Sequence, residues 1–370
     1  MRFSTSQTNF IEAFNRIAAA VPSRATLPII SNILLQLEGN RLRMVATDLE
    51  VTILTDIEVQ GETDGSLSVP AKKIGDITRE LEGLDIECWM DERNHLQMQA
   101  GAGAYQVPGI PGLEFPSLPE VVEATQVSLS AEKLDGMIRR LTFAASRDEL
   151  RPALTGVFFQ FRPQEIRAVA TDGHRLVRIF DQTFKYEGEA HELIFPVKAL
   201  DMVRRNLPKE GSVQMTIGAN QVVLKLQDAT LYSRLIEGKY PHYESVIPQN
   251  IEEHLIVKTG DLVRAVKRAQ IFSNPVSKQI VFHLFADKLE ITAEDIEQGG
   301  QGKESIPATY NGTEKEIGYN AAYMLEILKQ IDTEEMVMEV GGVTQAAVVK
   351  PLEQADGEDF LMLIMPVRLQ

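Results

Sequence analysis

At 370 residues the chain is longer than one hydrophobic core usually serves, at roughly 150 residues per domain, and its 44% hydrophobic and 24% charged residues are ordinary for a water-soluble globular protein. The net charge of −16 argues against a nucleic-acid partner if it is evenly spread, and the single Cys88 excludes an intrachain disulfide or a cysteine-based zinc site. No apolar run is long enough to span a membrane, and the start Met1-Arg2-Phe3-Ser4-Thr5 lacks a secretory apolar region, so a cytoplasmic protein is expected.

In chain order, the first expected element is a helix capped near Ser6, with apolar residues Phe10, Phe14, Ile17 and Val21. Steps of 0, 4, 7 and 11 fall within about 40° of one another on a 3.6-residue helix, so this face is buried. A strand pair follows, Asn32-Ile33-Leu34-Leu35-Gln36-Leu37 and Leu42-Arg43-Met44-Val45-Ala46-Thr47-Asp48. Val69-Pro70-Ala71-Lys72 then opens a second helix, since proline suits a first turn whose N–H has no partner. Its stripe is Ile74, Ile77 and Leu81. Cys88 beside Trp89 in an apparent strand reads as a core or boundary residue, and the aromatic-proline pair Phe115-Pro116 closes the unit after another pair of strands.

The same order returns from Ser130. A helix with Leu134, Ile138, Leu141 and Ala145 precedes the run Thr155-Gly156-Val157-Phe158-Phe159-Gln160-Phe161, and Ala170-Thr171-Asp172-Gly173-His174-Arg175-Leu176 carries the tight turn that Asp-Gly favours. Phe195-Pro196-Val197-Lys198 opens a helix with Leu200, Val203 and Leu207, and Tyr240-Pro241 closes the unit. A third, diverged copy has a helix from Thr259 with Leu262, Val266, Ala269 and then Ser273, strands at Ile280-Val281-Phe282-His283-Leu284-Phe285 and Leu289-Glu290-Ile291-Thr292-Ala293-Glu294, and a helix from Tyr319-Asn320-Ala321-Ala322 with Met324, Ile327 and Ile331. Ala46, Ala170 and Thr292 align at periods of 124 and 122 residues. One unit is therefore used three times, with domains expected at 1–123, 124–250 and 251–370, each α+β with two helices against antiparallel sheets. Linkers are expected from Pro119 to Thr125 and from Pro248 to Glu253, where the strand pattern fails.

Away from the apolar stripes, equivalent helix positions carry Arg16, Arg140 and Arg268, and Arg79, Arg205 and Lys329, with Lys72 and Lys198 two residues after the prolines that open the second helices. The six helical windows carry a net +9 against −16 for the whole, leaving −25 elsewhere. Basic residues opposite one apolar stripe are ordinarily a solvated face. In threefold repeat on so acidic a chain they read as a surface for phosphate contacts that hold a duplex without reading its sequence. No zinc-finger spacing, aromatic RNA-binding signature or basic arm accompanies them.

Catalysis finds no support: His174 lacks a nucleophile elbow or a metal partner at motif spacing, so no catalytic residue, metal or cofactor is expected. Gly299-Gly300-Gln301-Gly302-Lys303 resembles the end of a phosphate-binding loop, but Glu297 and Glu304 stand where glycine and a hydroxyl residue are needed, so it reads as a flexible surface turn. The terminal Met365-Pro366-Val367-Arg368-Leu369 is apolar where chain ends are normally polar, and reads either as a packed last strand or as part of a groove for partner peptides. The rival readings are a scaffold that binds only peptides, its basic helix faces merely offsetting the acidic shell, and an enzyme.

Thr26-Leu27-Pro28-Ile29 with Ala46-Thr47-Asp48-Leu49-Glu50, the 170–176 stretch, Tyr240-Pro241 with Tyr243, and the 365–369 tail together resemble the bacterial sliding clamps, the β subunits of DNA polymerase III. The resemblance spans the chain. It implies a head-to-tail homodimer forming a closed six-domain ring around double-stranded DNA, with helices lining the hole and continuous antiparallel sheets outside, a non-catalytic processivity factor for DNA replication. By the same resemblance, a pocket formed by Leu154, Thr171, Gly173, His174, Arg175, Leu176, Pro241, Val246, Ile364, Met365, Pro366, Val367, Arg368 and Leu369 takes short motifs of the DNA polymerase III catalytic subunit, the clamp loader, and other polymerases and repair proteins. Ser245 stands where some members have arginine, and Gln370 extends past their terminal Arg-Leu. DNA-contacting loops are implied at Arg24 and from Asp148 to Arg151, and a ring contact between Tyr105 and Val107 of the first domain and Ile271 and Phe272 of the third.

Overall fold

The computed structural model describes residues 1–121, 125–295 and 299–369. Part of the first expected linker (122–124), Glu297 and Gln370 lie outside the described residues. Among the described residues there are six α-helices, α1 (Gln7–Ile17), α2 (Ala71–Arg79), α3 (Ala131–Leu141), α4 (Val197–Asn206), α5 (Thr259–Gln270) and α6 (Ala321–Leu328). None is long and apolar enough to cross a membrane.

Each first helix is preceded by a strand, Arg2–Ser6, Thr125–Ser130 or His254–Lys258, where the sequence pattern places the helix at the very start. These segments are short and half polar, so their alternation is faint against the helical stripe that follows. Ser6 does cap α1, accepting the Asn9 N–H at 3.2 Å. Thr259 does not cap α5: it is the first helical residue, buried, and its hydroxyl has no partner among the described residues. The expected stripes outrun the helices. Beyond Ile17 and Leu141 the chain tightens into a 3₁₀ turn of three residues per turn, so Ala20 and Ala144 are buried in place of Val21 and Ala145.

The chain divides into two compact units, one of residues 1–135 and 198–235, the other of 136–197 and 236–370. The first contains a nine-stranded antiparallel sheet ordered Ile110–Pro111, Gly65–Pro70, Asn32–Glu38, Arg41–Thr47, Val51–Glu58, Thr230–Arg234, Gln221–Lys225, Ser212–Ile217, Thr125–Ser130. It also contains a five-stranded sheet, Gln60–Thr63, Arg2–Ser6, Asp85–Met90, His95–Ala100, Gly103–Pro108, in which Cys88 is fully buried. The second unit has its own nine-stranded sheet, His191–Pro196, Gly156–Arg162, Glu165–Thr171, Arg175–Asp181, Glu358–Ile364, Ala347–Pro351, Glu335–Glu339, His254–Lys258, Thr309–Tyr310. A four-stranded sheet completes it, Gly300–Pro307, Lys288–Asp295, Gln279–Leu284, Lys315–Asn320. Among the described residues three strands, not a pair, follow the second helix of the second and third repeats, and four follow that of the first, counting the two-residue Ile110–Pro111. The glycine-rich segment is not a surface turn throughout: Gly300 to Lys303 begin an edge strand, and Gly299, at φ 73°, turns the chain ahead of it.

The helices lie on these sheets by their apolar faces. In the first unit Phe10, Phe14, Ile17 and Ile74 are buried, and α2 meets α1 so closely that a side chain on Gly75 would strike the Phe14 ring at 2.6 Å. Leu262, Val266 and Ala269 of α5 and Met324 and Ile327 of α6 play the same part in the second unit. Burial of each such side chain contributes about 1.5–3 kcal/mol.

Candidate functional site

The turn between strands Glu165–Thr171 and Arg175–Asp181 follows from its residues. Gly173 takes φ 92°, which glycine adopts without penalty. The Asp172 carboxylate accepts the His174 and Arg175 N–H groups at 2.9 and 3.0 Å, and the Thr171 hydroxyl donates to the Arg175 carbonyl at 2.6 Å. His174 is thereby held outward, and its carbonyl accepts the Met365 N–H at 2.9 Å, which brings the chain end to the turn.

Strand alternation then separates the expected pocket residues onto two faces. Leu176 joins Leu154, Phe158, Val169, Tyr240, Tyr243, Leu361 and Leu363 in one apolar cluster, with Phe158 stacked on Tyr240 at 4.8 Å between ring centroids. Val246 and Pro241 are exposed beside it. Ile364 is fully buried on the other face of its strand from Leu361 and Leu363, so its side chain does not line the cluster. Arg175 likewise points away from the cluster. Its guanidinium pairs with Asp172 at 3.1 Å and with Glu326, donates to the Phe143 carbonyl at 2.8 Å, and lies over the Phe143 and Tyr323 rings at 5.0 and 4.7 Å. His174 stacks on the same Tyr323 at 5.9 Å. The tail turns back on the four-stranded sheet, with the Val367 N–H donating to the Gly318 carbonyl at 2.9 Å, while Met365, Arg368 and Leu369 stay exposed and Pro366 half-buried.

Arg175 thus clamps the turn from beneath rather than presenting charge to a ligand. Replacing it with alanine should destabilise the second unit by about 2–3 kcal/mol, below the cost for a fully buried pair because Glu326 keeps its water. Urea unfolding of the variant checks this.

The basic helix residues divide by their local partners. Lys72 and Arg205 are exposed and, like the loop residue Arg24 and Lys329 just beyond α6, have no ion pair among the described residues. Arg79 pairs with Asp76 at 3.0 Å and lies over the Phe14 ring, Lys198 pairs with Asp48, and Arg268 pairs with Glu304 at 2.8 Å, which holds the Glu304 carboxyl below its usual range. Arg16 reaches Asp228 at 3.4 Å, and Asn206 donates to the Arg16 carbonyl at 3.3 Å, which joins the ends of α1 and α4 in the first unit. Arg140 is half-buried, 3.4 Å from Asp332 and 4.9 Å from the Phe360 ring centre, where the helix pattern places it freely exposed. Its neighbour Arg139, outside the repeated basic positions, reaches the same carboxylate at 2.9 Å. Asp148 is an anchor within its loop: it accepts Leu150 N–H at 3.0 Å and Arg151 Nε at 2.9 Å, and these bonds lower its pKa. Exposed pairs of this kind contribute about 0–1 kcal/mol, so a phosphate can displace the carboxylate at little cost.

Of the expected contact residues between copies, Ile271 is 76% exposed and Phe272 40%. The Phe272 ring covers Gly302 of the edge strand Gly300–Pro307, where a side chain would meet it at 2.4 Å. Val107 is fully buried, because on the edge strand Gly103–Pro108 the outward positions are Ala104, Gln106 and Pro108. Val107 pairs with Leu96 of the neighbouring strand, and Tyr105 is half-buried on the same face. No group of side chains suited to a metal occurs among the described residues.

Sequence profiles of the DNA polymerase III beta subunit match the chain in three successive pieces: its N-terminal domain at residues 1–119, its central domain at 128–242 and its C-terminal domain at 244–368. The chain belongs to that family. The beta sliding clamp of Pseudomonas putida is 30% identical, and that of Escherichia coli K12 29% identical, over all of both chains. Among solved structures, the sliding clamp of Pseudomonas aeruginosa bound to griselimycin superposes with a TM-score of 0.94 at 29% identity, covering all of each chain. Membership of the beta-subunit family makes this chain a sliding clamp, a non-catalytic subunit that serves the polymerase rather than performing its chemistry. The beta-subunit profiles also account for the threefold period, since each matches one repeat.

Proposed function

We propose that two copies of the chain close head to tail into a ring around duplex DNA and tether the replicative polymerase, the clamp loader and other motif-bearing proteins through the cleft beside Gly173. The observation that carries this reading is the pairing, in each repeat, of helices whose apolar faces are buried with basic residues left at their surface. A charge layer of that kind on a net −16 protein attracts phosphate while the rest repels it, which suits sliding better than docking. The unpaired edges Gly103–Pro108 and Gly300–Pro307 are templates for strand addition between copies, with Ile271 and Phe272 beside the second. The exposed Val246, Met365 and Leu369 around an apolar cluster suit a short peptide anchored by a few side chains. That a related clamp is crystallised with griselimycin supports a ligand-binding cleft on this fold. The work would be done in the cytoplasm, where the chromosome of a bacterium lies.

Native mass measurement combined with retention on circular against linear DNA tests the ring: a dimer held only on the circle is expected. The helix faces are tested by reversing Arg79, Arg140, Arg205 and Arg268 to Glu. Each lost phosphate contact should flatten the logarithmic salt dependence of DNA binding by about 0.9. A salt slope equal to the parent's would leave the peptide-only scaffold as the better reading.

A further inference from the structure

The first unit contains a second copy of the turn that builds the cleft. The Thr47 hydroxyl donates to the Val51 carbonyl at 3.1 Å and accepts the Leu49 N–H at 3.0 Å, as Thr171 does with Arg175 and Gly173 at 2.6 and 3.1 Å. The Asp48 carboxylate accepts the Glu50 and Val51 N–H groups at 3.0 and 2.7 Å, matching Asp172. The Arg234 N–H donates to the Glu50 carbonyl at 2.9 Å, the same bond at the same length as Met365 to His174. In this register Arg234 occupies the place of Met365, Phe115 that of Tyr240, and Leu118 and Tyr232 those of Tyr243 and Leu363.

A cavity of about 730 Å³ opens at this turn, between Leu49, Leu118, Tyr232, Glu50, Glu120 and Arg234, within the roughly 300–1,000 Å³ usual for ligand sites. Two features show that it is not a mere relic of the repeat. Leu49 sits at φ 77°, a conformation that side-chain-bearing residues avoid, where the sister turn has glycine at 92°. Its side chain is 41% exposed at the mouth of the cavity, so the backbone strain presents an aliphatic group outward. The wall also differs in charge: Glu50 and Glu120 face the cavity with one arginine, and Glu50 and Arg234 lie 3.7 Å apart with both side chains about two-thirds exposed. The sister cleft instead carries His174 and Arg368.

We propose that this cavity is a second peptide site, taking an extended segment of a partner protein with an aliphatic or aromatic anchor flanked by lysine or arginine. Leu49, Leu118 and Tyr232 receive the anchor, and Glu50 and Glu120 receive the cation. The inference leans on the reading of the sister cleft as a peptide site, through the shared turn, and the test separates the two. Two labelled octapeptides with a common Leu-Phe anchor, one flanked by lysines and one by glutamates, are titrated against the intact protein and against three variants. The lysine-flanked peptide should bind at the Leu49 cavity and survive deletion of residues 366–370, whereas Leu49→Gly and Glu120→Lys should each weaken it about tenfold, the scale of one lost anchor or charge contact. Leu49→Gly relieves the turn, so the variant should unfold no earlier than the parent, which separates lost binding from lost structure. Loss of lysine-flanked binding on tail deletion, or its indifference to both substitutions, would overturn the second site alone. Absence of binding by either peptide would overturn the peptide reading of both clefts.

Discussion

Charging the patch at the end of α5, with Ile271→Asp and Phe272→Asp together, is expected to turn the dimer into monomers and to abolish retention on circular DNA. Both side chains are apolar and well exposed, and Phe272 caps the Gly302 segment of an unpaired edge strand. Each buried aliphatic or aromatic group contributes about 1.5–3 kcal/mol, so losing two weakens association by roughly 10²–10⁴-fold before the desolvation of two carboxylates is counted. Folding should change little, since Ile271 lies at the helix C-cap and makes few burial demands. The monomer should still bind DNA weakly through its helix faces, with equal affinity for circular and linear forms. A double variant that migrates as a full-size dimer would place the contact between copies elsewhere.

Deleting residues 366–370 should remove binding of the glutamate-flanked peptide while the dimer and its retention on circular DNA survive. Among the described residues one backbone bond, Val367 to Gly318, holds the tail, and Arg368 and Leu369 remain exposed. A cleft with a small number of anchoring side chains concentrates its affinity in them, at about 2 kcal/mol or more apiece, so the loss should exceed roughly thirtyfold. The Met365 N–H still reaches the His174 carbonyl in the truncated protein, so the turn itself should persist. Undiminished binding by the truncated protein would move the site away from the chain end.

Much of this was legible from residue order. The stripes of Phe10, Phe14 and Ile17 and of Leu262, Val266 and Ala269 are buried helix faces, and Asp172-Gly173 makes the turn its chemistry favours. The opening strands were not legible, because Arg2-Phe3-Ser4-Thr5-Ser6 offers one buried apolar residue to a pattern search. Parity defeated the reading of Val107 and Ile364: a strand tells which residues share a face, but only the fold tells which face looks inward. Arg140 shows a third limit. Its helix position predicted exposure, yet Asp332, almost two hundred residues away, and the Phe360 ring hold it down. The same holds for Arg175, whose partner Glu326 belongs to a different repeat and leaves no local trace.

The two long sheets carry a consequence for how such a protein can be cut and rejoined. Strand Val51–Glu58 of the first repeat is zipped to Thr230–Arg234 of the second, and Arg175–Asp181 of the second to Glu358–Ile364 of the third. The units of heredity and the units of architecture are therefore out of phase: gene duplication copies a repeat, but a repeat excised at its own ends bares the hydrogen-bonding rim that its neighbour had occupied. Chimaeras joined between repeats should aggregate through that rim unless the mating strand travels with it, whereas grafts that move Val51–Glu58 and Thr230–Arg234 as a pair keep the seam closed.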